Sequence, residues 1–135
     1  MELEIYFEDN KKVNARYKDH IIKTDQPEEE GGSNSSPAPF TLFLASIGTC
    51  AGVYVKSFCD SRDLPTDNIK ILQSMHFDNV SHLIDKISLN IQLPSDFPDK
   101  YKTALINSVN LCTVKKHLQK PPEVEVTAVY DKILC

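Results

Sequence analysis

One segment limits what this chain can fold into more than any other. From Phe40 to Val55 run 16 residues that are apolar except for Thr41, Ser46, Gly48, Thr49 and Gly52, and Lys56 is the only charge between residues 40 and 59. Apolar residues recur at 40, 43, 44, 47, 51, 54, 55 and 58, the spacing of one helical face, and Leu42, Cys50 and Val53 fill much of the remainder. A membrane span needs about 18–20 strongly apolar residues, so the segment reads as a core helix. A helix apolar nearly all round is buried on all sides. In a chain of 135 residues that calls for cover from a second subunit as well as from its own sheet. Pro39 suits the first turn, Ser35 or Ser36 offer caps, and the helix is expected to end near residues 62–64, before Pro65.

Strands flank this helix on both sides. Leu3, Ile5 and Phe7 alternate with Glu4, Tyr6 and Glu8, which predicts a half-buried strand over 2–8. Asp9-Asn10 and Lys18-Asp19 mark turns, so 13–17 and 20–24 complete an antiparallel meander. Residues 25–39 form a polar loop rich in Gly, Pro and Ser, long enough to expect a functional or mobile role. Beyond the core helix, strands are expected at 69–77 and 86–93. A helix should run from about 98 toward 110, continued or restarted over 112–118, with a final strand at 124–130. Helices and strands do not alternate regularly. The expected class is therefore α+β, with antiparallel sheet packed on a long central helix and a second helix, in one domain spanning 1–135.

Composition narrows the function. Apolar residues make up 41% and charged residues 25%, which excludes a disordered chain, a coiled coil, collagen and a porin-like repeat. The formal charge is -4 and no basic run exceeds two residues (Lys11-Lys12, Lys115-Lys116), so neither nucleic acid nor a membrane is expected as a partner. Acids at Glu2 and Glu4 stand where the basic region of a signal peptide would sit, which points to a cytoplasmic location and reduced thiols. There is no P-loop, no GxGxxG, no HExxH, no CxxC pair and no GxSxG elbow. Cys112 and His117 have a possible ligand spacing, but structural metal sites usually need two close pairs, so no metal is expected.

The four cysteines carry more information. Cys50 lies mid-helix, where a free cysteine ordinarily packs as a small hydrophobe. Cys59 sits at the exposed-looking end of the same helix, about 13 Å of rise away and out of disulfide reach. Cys59 and the terminal Cys135 read as incidental. Cys112 follows Asn107-Ser108-Val109-Asn110, which can break a helix. If a new helix starts there, its dipole with Lys115 and Lys116 favours a thiolate at Cys112. The alternative, equally weighted, is that Lys115, Lys116 and His117 decorate a solvated helix end.

Ser36-Pro37-Ala38-Pro39 followed by the apolar run to Cys50, and Asn110-Leu111-Cys112-Thr113-Val114 further on, resemble the two cysteine segments of the OsmC/Ohr family, the osmotically inducible and organic-hydroperoxide-resistance proteins. The likeness runs over nearly the whole chain and is nearest to the branch called OsmC-like redox proteins. It implies an intertwined homodimer with two sites at the subunit interface. It also implies a thiol-dependent peroxidase in which Cys50 is the peroxidatic thiolate and Cys112 the resolving thiol. A small organic hydroperoxide (or hydrogen peroxide) would be the substrate and an external dithiol the reductant, with no cofactor. Phe40, Phe43, Leu44 and Ile47 would line the site. Where the peroxidase branches carry a Glu before the first Cys, this chain has Phe40 and Thr41. Arg16 is the one arginine near the first strands, with Lys11 and Lys12 the other cations there, and Thr113 replaces the family's proline after the second Cys. These departures keep two alternatives in play: a non-catalytic or weakly active dimer holding a small apolar ligand, and a redox-sensing or disulfide-exchange protein.

Overall fold

The structure, a computed structural model, describes residues 1–131. Three short strands, β1 (Glu4–Phe7), β2 (Val13–Tyr17) and β3 (His20–Ile22), form an antiparallel meander in that order. The expected third strand stops at Ile22, because Thr24 turns inward: its N–H donates to Asn14 Oδ1 at 3.2 Å and its hydroxyl to the Val13 carbonyl. The turns that join the strands hold Asn10 (φ 57°) and Lys18 (φ 51°) in the left-handed region.

The loop that follows is tied down rather than free. A single turn of 3-10 helix, Glu28–Glu30, closes on Gly31, whose φ of 84° is a conformation only glycine adopts without cost. Asp25, with no accessible surface, gathers the loop around its carboxylate. It accepts N–H groups from Gln26 (2.8 Å) and Ser35 (3.0 Å) and the Ser35 hydroxyl at 2.6 Å. Ser35 is therefore spent on Asp25 and does not cap the helix as expected. The N-cap is Ala38, without a side-chain bond, and Pro39 opens the first turn because it has no N–H to leave unsatisfied.

Helix α1 spans Pro39–Asp60. It ends two residues before the expected 62–64, where the Cys59 carbonyl receives the N–H groups of both Arg62 (3.0 Å) and Leu64 (2.9 Å) and Asp63 takes φ 53°. Beyond it, β4 (Lys70–Phe77) and β5 (Ile84–Gln92) pair antiparallel, with Ile71 opposite Ile91 and Gln73 opposite Leu89. A 3-10 turn at Asp99–Tyr101 leads into α2 (Lys102–Val109), and the chain restarts after Asn110 as α3 (Thr113–Gln119). The class is α+β, with two small antiparallel sheets and three α-helices among the described residues.

Ala51, Val55, Phe58 and Cys59 of α1 meet Leu105 and Val109 of α2, with Ile71, Leu89 and Ile91 of the hairpin closing over them. Among the described residues, this cluster takes nothing from the meander. Among the described residues, only that one face of α1 is buried by its own chain. Phe40 is 54% exposed, Phe43 43% and Val53 62%, so burial on all sides does not hold for one protomer alone. The helix is also long and apolar enough, by length and composition, to cross a membrane.

Two further expectations are corrected. Cys59 is fully buried rather than at an exposed end, because α2 packs over the last turns of α1. Residues 124–130 do not form a strand: among the described residues they pair with none, and Val124, Val126 and Tyr130 stand almost wholly exposed. Alternation alone does not make a strand without an edge to pair with.

Candidate functional site

Sixty-two positions separate Cys50 from Cys112, yet the fold sets one against the other. Cys50 lies on the side of α1 where α2 gives way to α3, and Cys112 is the residue from which α3 starts. The break that makes this possible is local. After Val109 the chain makes one tight turn, with Leu111 N–H on Ser108 O and Cys112 N–H on Val109 O, each at 3.0 Å. Cys112 then leaves helical geometry (φ -48°, ψ 129°), and Thr113 begins a new helix. Helix α3 has no regular side-chain cap and no acid in its first turn. Its first N–H groups are orphan donors in search of an acceptor.

The acceptor is the Cys50 sulfur. Burial pushes the Cys50 thiol up, but the Cys112 thiol, which donates to it, and the N–H groups of Val114 and Thr113 outweigh that and hold it below the ordinary thiol value. Cys112 moves the opposite way. Burial raises it first, and its proton is held on Cys50; the N–H groups of Lys115 and Val114 offset this only in part. The pair thus divides the labour. Cys50, half-buried and reachable, is the thiol whose pKa is drawn down, while Cys112, 2% exposed, is the one whose pKa is pushed up. A lowered pKa with partial access is the condition for a nucleophilic thiol, and a raised pKa with burial is the condition for a reserve one.

This reverses one expectation and refines another. The N–H groups at the start of α3 lower the pKa of Cys50 across the gap, while the pKa of Cys112, from which the helix starts, is raised. Lys115 does not turn to Cys112: its Nζ donates to Asn110 Oδ1 at 2.5 Å. His117 Nδ1 lies 2.7 Å from the Thr113 carbonyl. Arg16 is committed to the meander, 2.8 Å from Glu4 and over the Tyr6 ring, and Lys12 pairs with Asp9. Among the described residues, the groups that lower Cys50 are neutral: the Cys112 thiol and the N–H groups of Val114 and Thr113. Cys59 is pushed up by burial and by Asp60, which makes it inert. Cys135 lies outside the described residues.

Three further contacts frame the pair. Tyr54, one turn beyond Cys50, has its hydroxyl 3.3 Å from Thr113 Oγ1. Gln73 of β4 reaches across to α1 and donates to the Leu44 carbonyl at 2.9 Å, over Gly48, whose missing side chain leaves room for it. Behind Cys112, an apolar groove of about 560 Å³ runs between β5, α2 and α3, lined by Leu89, Ile91, Leu105, Ile106 and Leu118, with Lys102 and Lys115 also in its lining. The backbone donors at Thr113 and Val114 were the part sequence reasoning missed. The signal available was the helix break at 110–112.

Comparison with known proteins bears on this geometry. The family model described as OsmC-like protein matches residues 32–127. No curated protein matches the chain. Among solved structures, a Psychrobacter arcticus protein assigned to osmotic stress induction and the detoxification response is similar with a TM-score of 0.70 at 15% identity, over 84% of this chain and 85% of that one. An OsmC-like protein of Mycoplasma pneumoniae is similar with a TM-score of 0.65 at 13% identity, over 89% and 87% of the two chains. The organic hydroperoxide resistance protein OhrB of Bacillus subtilis is similar with a TM-score of 0.53 at 16% identity, over 90% and 93%. At such identities these are likenesses of fold.

Proposed function

The chain belongs to the OsmC-like protein family, and from that premise we propose that it is a thiol-dependent peroxidase that reduces organic hydroperoxides through Cys50 and Cys112. The observation that carries this reading is the facing pair itself, in which the accessible thiol is depressed and the buried one elevated. A fold neighbour named for organic hydroperoxide resistance supports the substrate class.

The chemistry balances without a cofactor. The Cys50 thiolate attacks one oxygen of the peroxide bond; the O–O bond breaks, the alkoxide takes up a proton and leaves as alcohol, and Cys50 becomes a sulfenic acid. Cys112 then attacks the Cys50 sulfur, and hydroxide leaves with the Cys112 proton as water, giving a disulfide. An external dithiol returns both sulfurs to thiols and is itself oxidised to its disulfide. The donors at Thr113 and Val114 stabilise the thiolate before attack and release it as the S–O bond forms.

The protein acts as a homodimer in this reading. The side of α1 left uncovered presents Phe40 and Phe43, stacked with ring centres 5.7 Å apart, and more apolar surface stands open at Ile5, Phe7 and Leu72. A second copy would cover these residues and supply the apolar wall for an alkyl hydroperoxide. A dithiol-dependent cycle suits the reducing cytoplasm. The apolar groove behind Cys112 favours a second reading, retention of a small apolar ligand by a dimer without turnover.

Anaerobic stopped-flow with cumene hydroperoxide and excess dithiol tests the proposal. The wild type is expected to consume peroxide over many turnovers and Cys50→Ser to fall to the uncatalysed rate. Equal, slow consumption by both would end it.

A further inference from the structure

We infer that Tyr54 is a positioning residue for the Cys50 thiolate: its hydroxyl holds Thr113, the first residue of α3, against the face of α1 that carries Cys50. The inference rests on the reading of Cys50 as the reacting thiol and adds how that thiol is kept in register with its donors.

Cys50 and Tyr54 are four residues apart on one helix, hence on one face and about 6 Å apart along its axis. The Tyr54 ring packs against the core cluster, which fixes where its hydroxyl points. That hydroxyl lies 3.3 Å from Thr113 Oγ1, and the backbone N–H groups of Thr113 and Val114 are the ones directed at Cys50. One residue therefore offers its main chain to the thiol and its side chain to the tyrosine.

Little else fixes α3 sideways on α1. Helix α3 runs for seven residues and buries none of them, and its N-cap makes no regular side-chain bond. The turn before it is bonded to α2, through Ser108 and Val109, and not to α1. Cys112 anchors one side of the junction from its buried position, and the Tyr54–Thr113 contact anchors the next residue along. Orphan donors at a helix start stabilise an anion only over the first turn, so a small drift of α3 weakens them. The other titratable group acting on Cys50 is the Cys112 thiol.

The test follows Cys50 alkylation by iodoacetamide against pH, resolved by peptide mass, in the full chain. Tyr54→Phe, which keeps the ring, and Thr113→Val are each expected to raise the apparent Cys50 pKa by about half a unit. The double variant should move no further than either single one, and Thr113→Ser should stay at the wild-type value. Labelling of buried Cys59 reports whether each variant is folded, and Thr113, being exposed, tests the same contact from the side that packing does not need. A depressed wild-type value that Tyr54→Phe leaves in place overturns the inference, as do additive shifts in the double variant. An ordinary thiol pKa in the wild type instead overturns the reading of Cys50 on which it rests.

Discussion

Asp25 carries no accessible surface, and its carboxylate accepts hydrogen bonds from the Ser35 hydroxyl and from the backbone of Ser35, Gln26 and Ser33. The Ser35 side chain and N–H lead in drawing its pKa down from 3.8 to about 2, against the opposing pull of desolvation. A carboxyl whose folded pKa lies below its unfolded one stabilises the folded state above the unfolded value and loses that contribution as pH falls through the folded value. Urea unfolding midpoints are therefore expected to decline from about pH 5 toward pH 2 in the wild type, and Asp25→Asn should lower the midpoint at pH 7 and flatten the decline. Retention of the full wild-type slope in Asp25→Asn would contradict this. At the same scale, the two cysteines were legible as a pair only through their resemblance to a family, because composition says nothing about which sulfur meets which. Their division of roles, too, came only with that resemblance and not from residue types. It depends on Cys112 being buried and on two main-chain N–H groups, and neither burial nor a backbone vector is written in residue type.

Elements that draw on local periodicity could be read in advance: the meander, α1, the β4–β5 hairpin and the break before α3 all lie near where alternation, helical spacing and turn residues put them. Those that depend on tertiary partners could not. Ser35 serves Asp25 and not the helix it precedes, and the alternation over 124–130 finds no edge to pair with. Two glycines separate local from tertiary cost. A side chain at Gly32 would sit 1.9 Å from the Gln26 carbonyl oxygen, a backbone atom that cannot yield without opening the loop. One at Gly48 would sit 2.6 Å from Gln73 Oε1, the far end of a flexible side chain. Gly48→Ala gains about 1 kcal/mol of helix propensity and loses one hydrogen bond of about the same size, so chemical denaturation should find it near wild type. Gly32→Ala is expected to cost about 2 kcal/mol or more and to loosen the 25–39 loop. The reverse ranking would contradict this account of the loop.

For the whole molecule, the apolar surface left open on α1 and on both sheets is the dominant fact. Analytical ultracentrifugation at micromolar concentration is expected to return twice the chain mass, and Phe43→Asp, which places a charge on that surface without touching the buried cluster, should shift the distribution toward single chains. A wild type that sediments as one chain would contradict the dimer. The pairing of Cys50 with Cys112 lies closer still to the central claim, and one measurement reaches it directly. Reduced protein is mixed with a single equivalent of cumene hydroperoxide, quenched in acid, and its thiols mapped by peptide mass. The account predicts loss of two hydrogens per chain and one crosslinked peptide joining Cys50 to Cys112, with Cys59 still reduced. Oxidation of Cys50 alone to sulfinic acid with Cys112 left free, or no thiol loss at all, would contradict it.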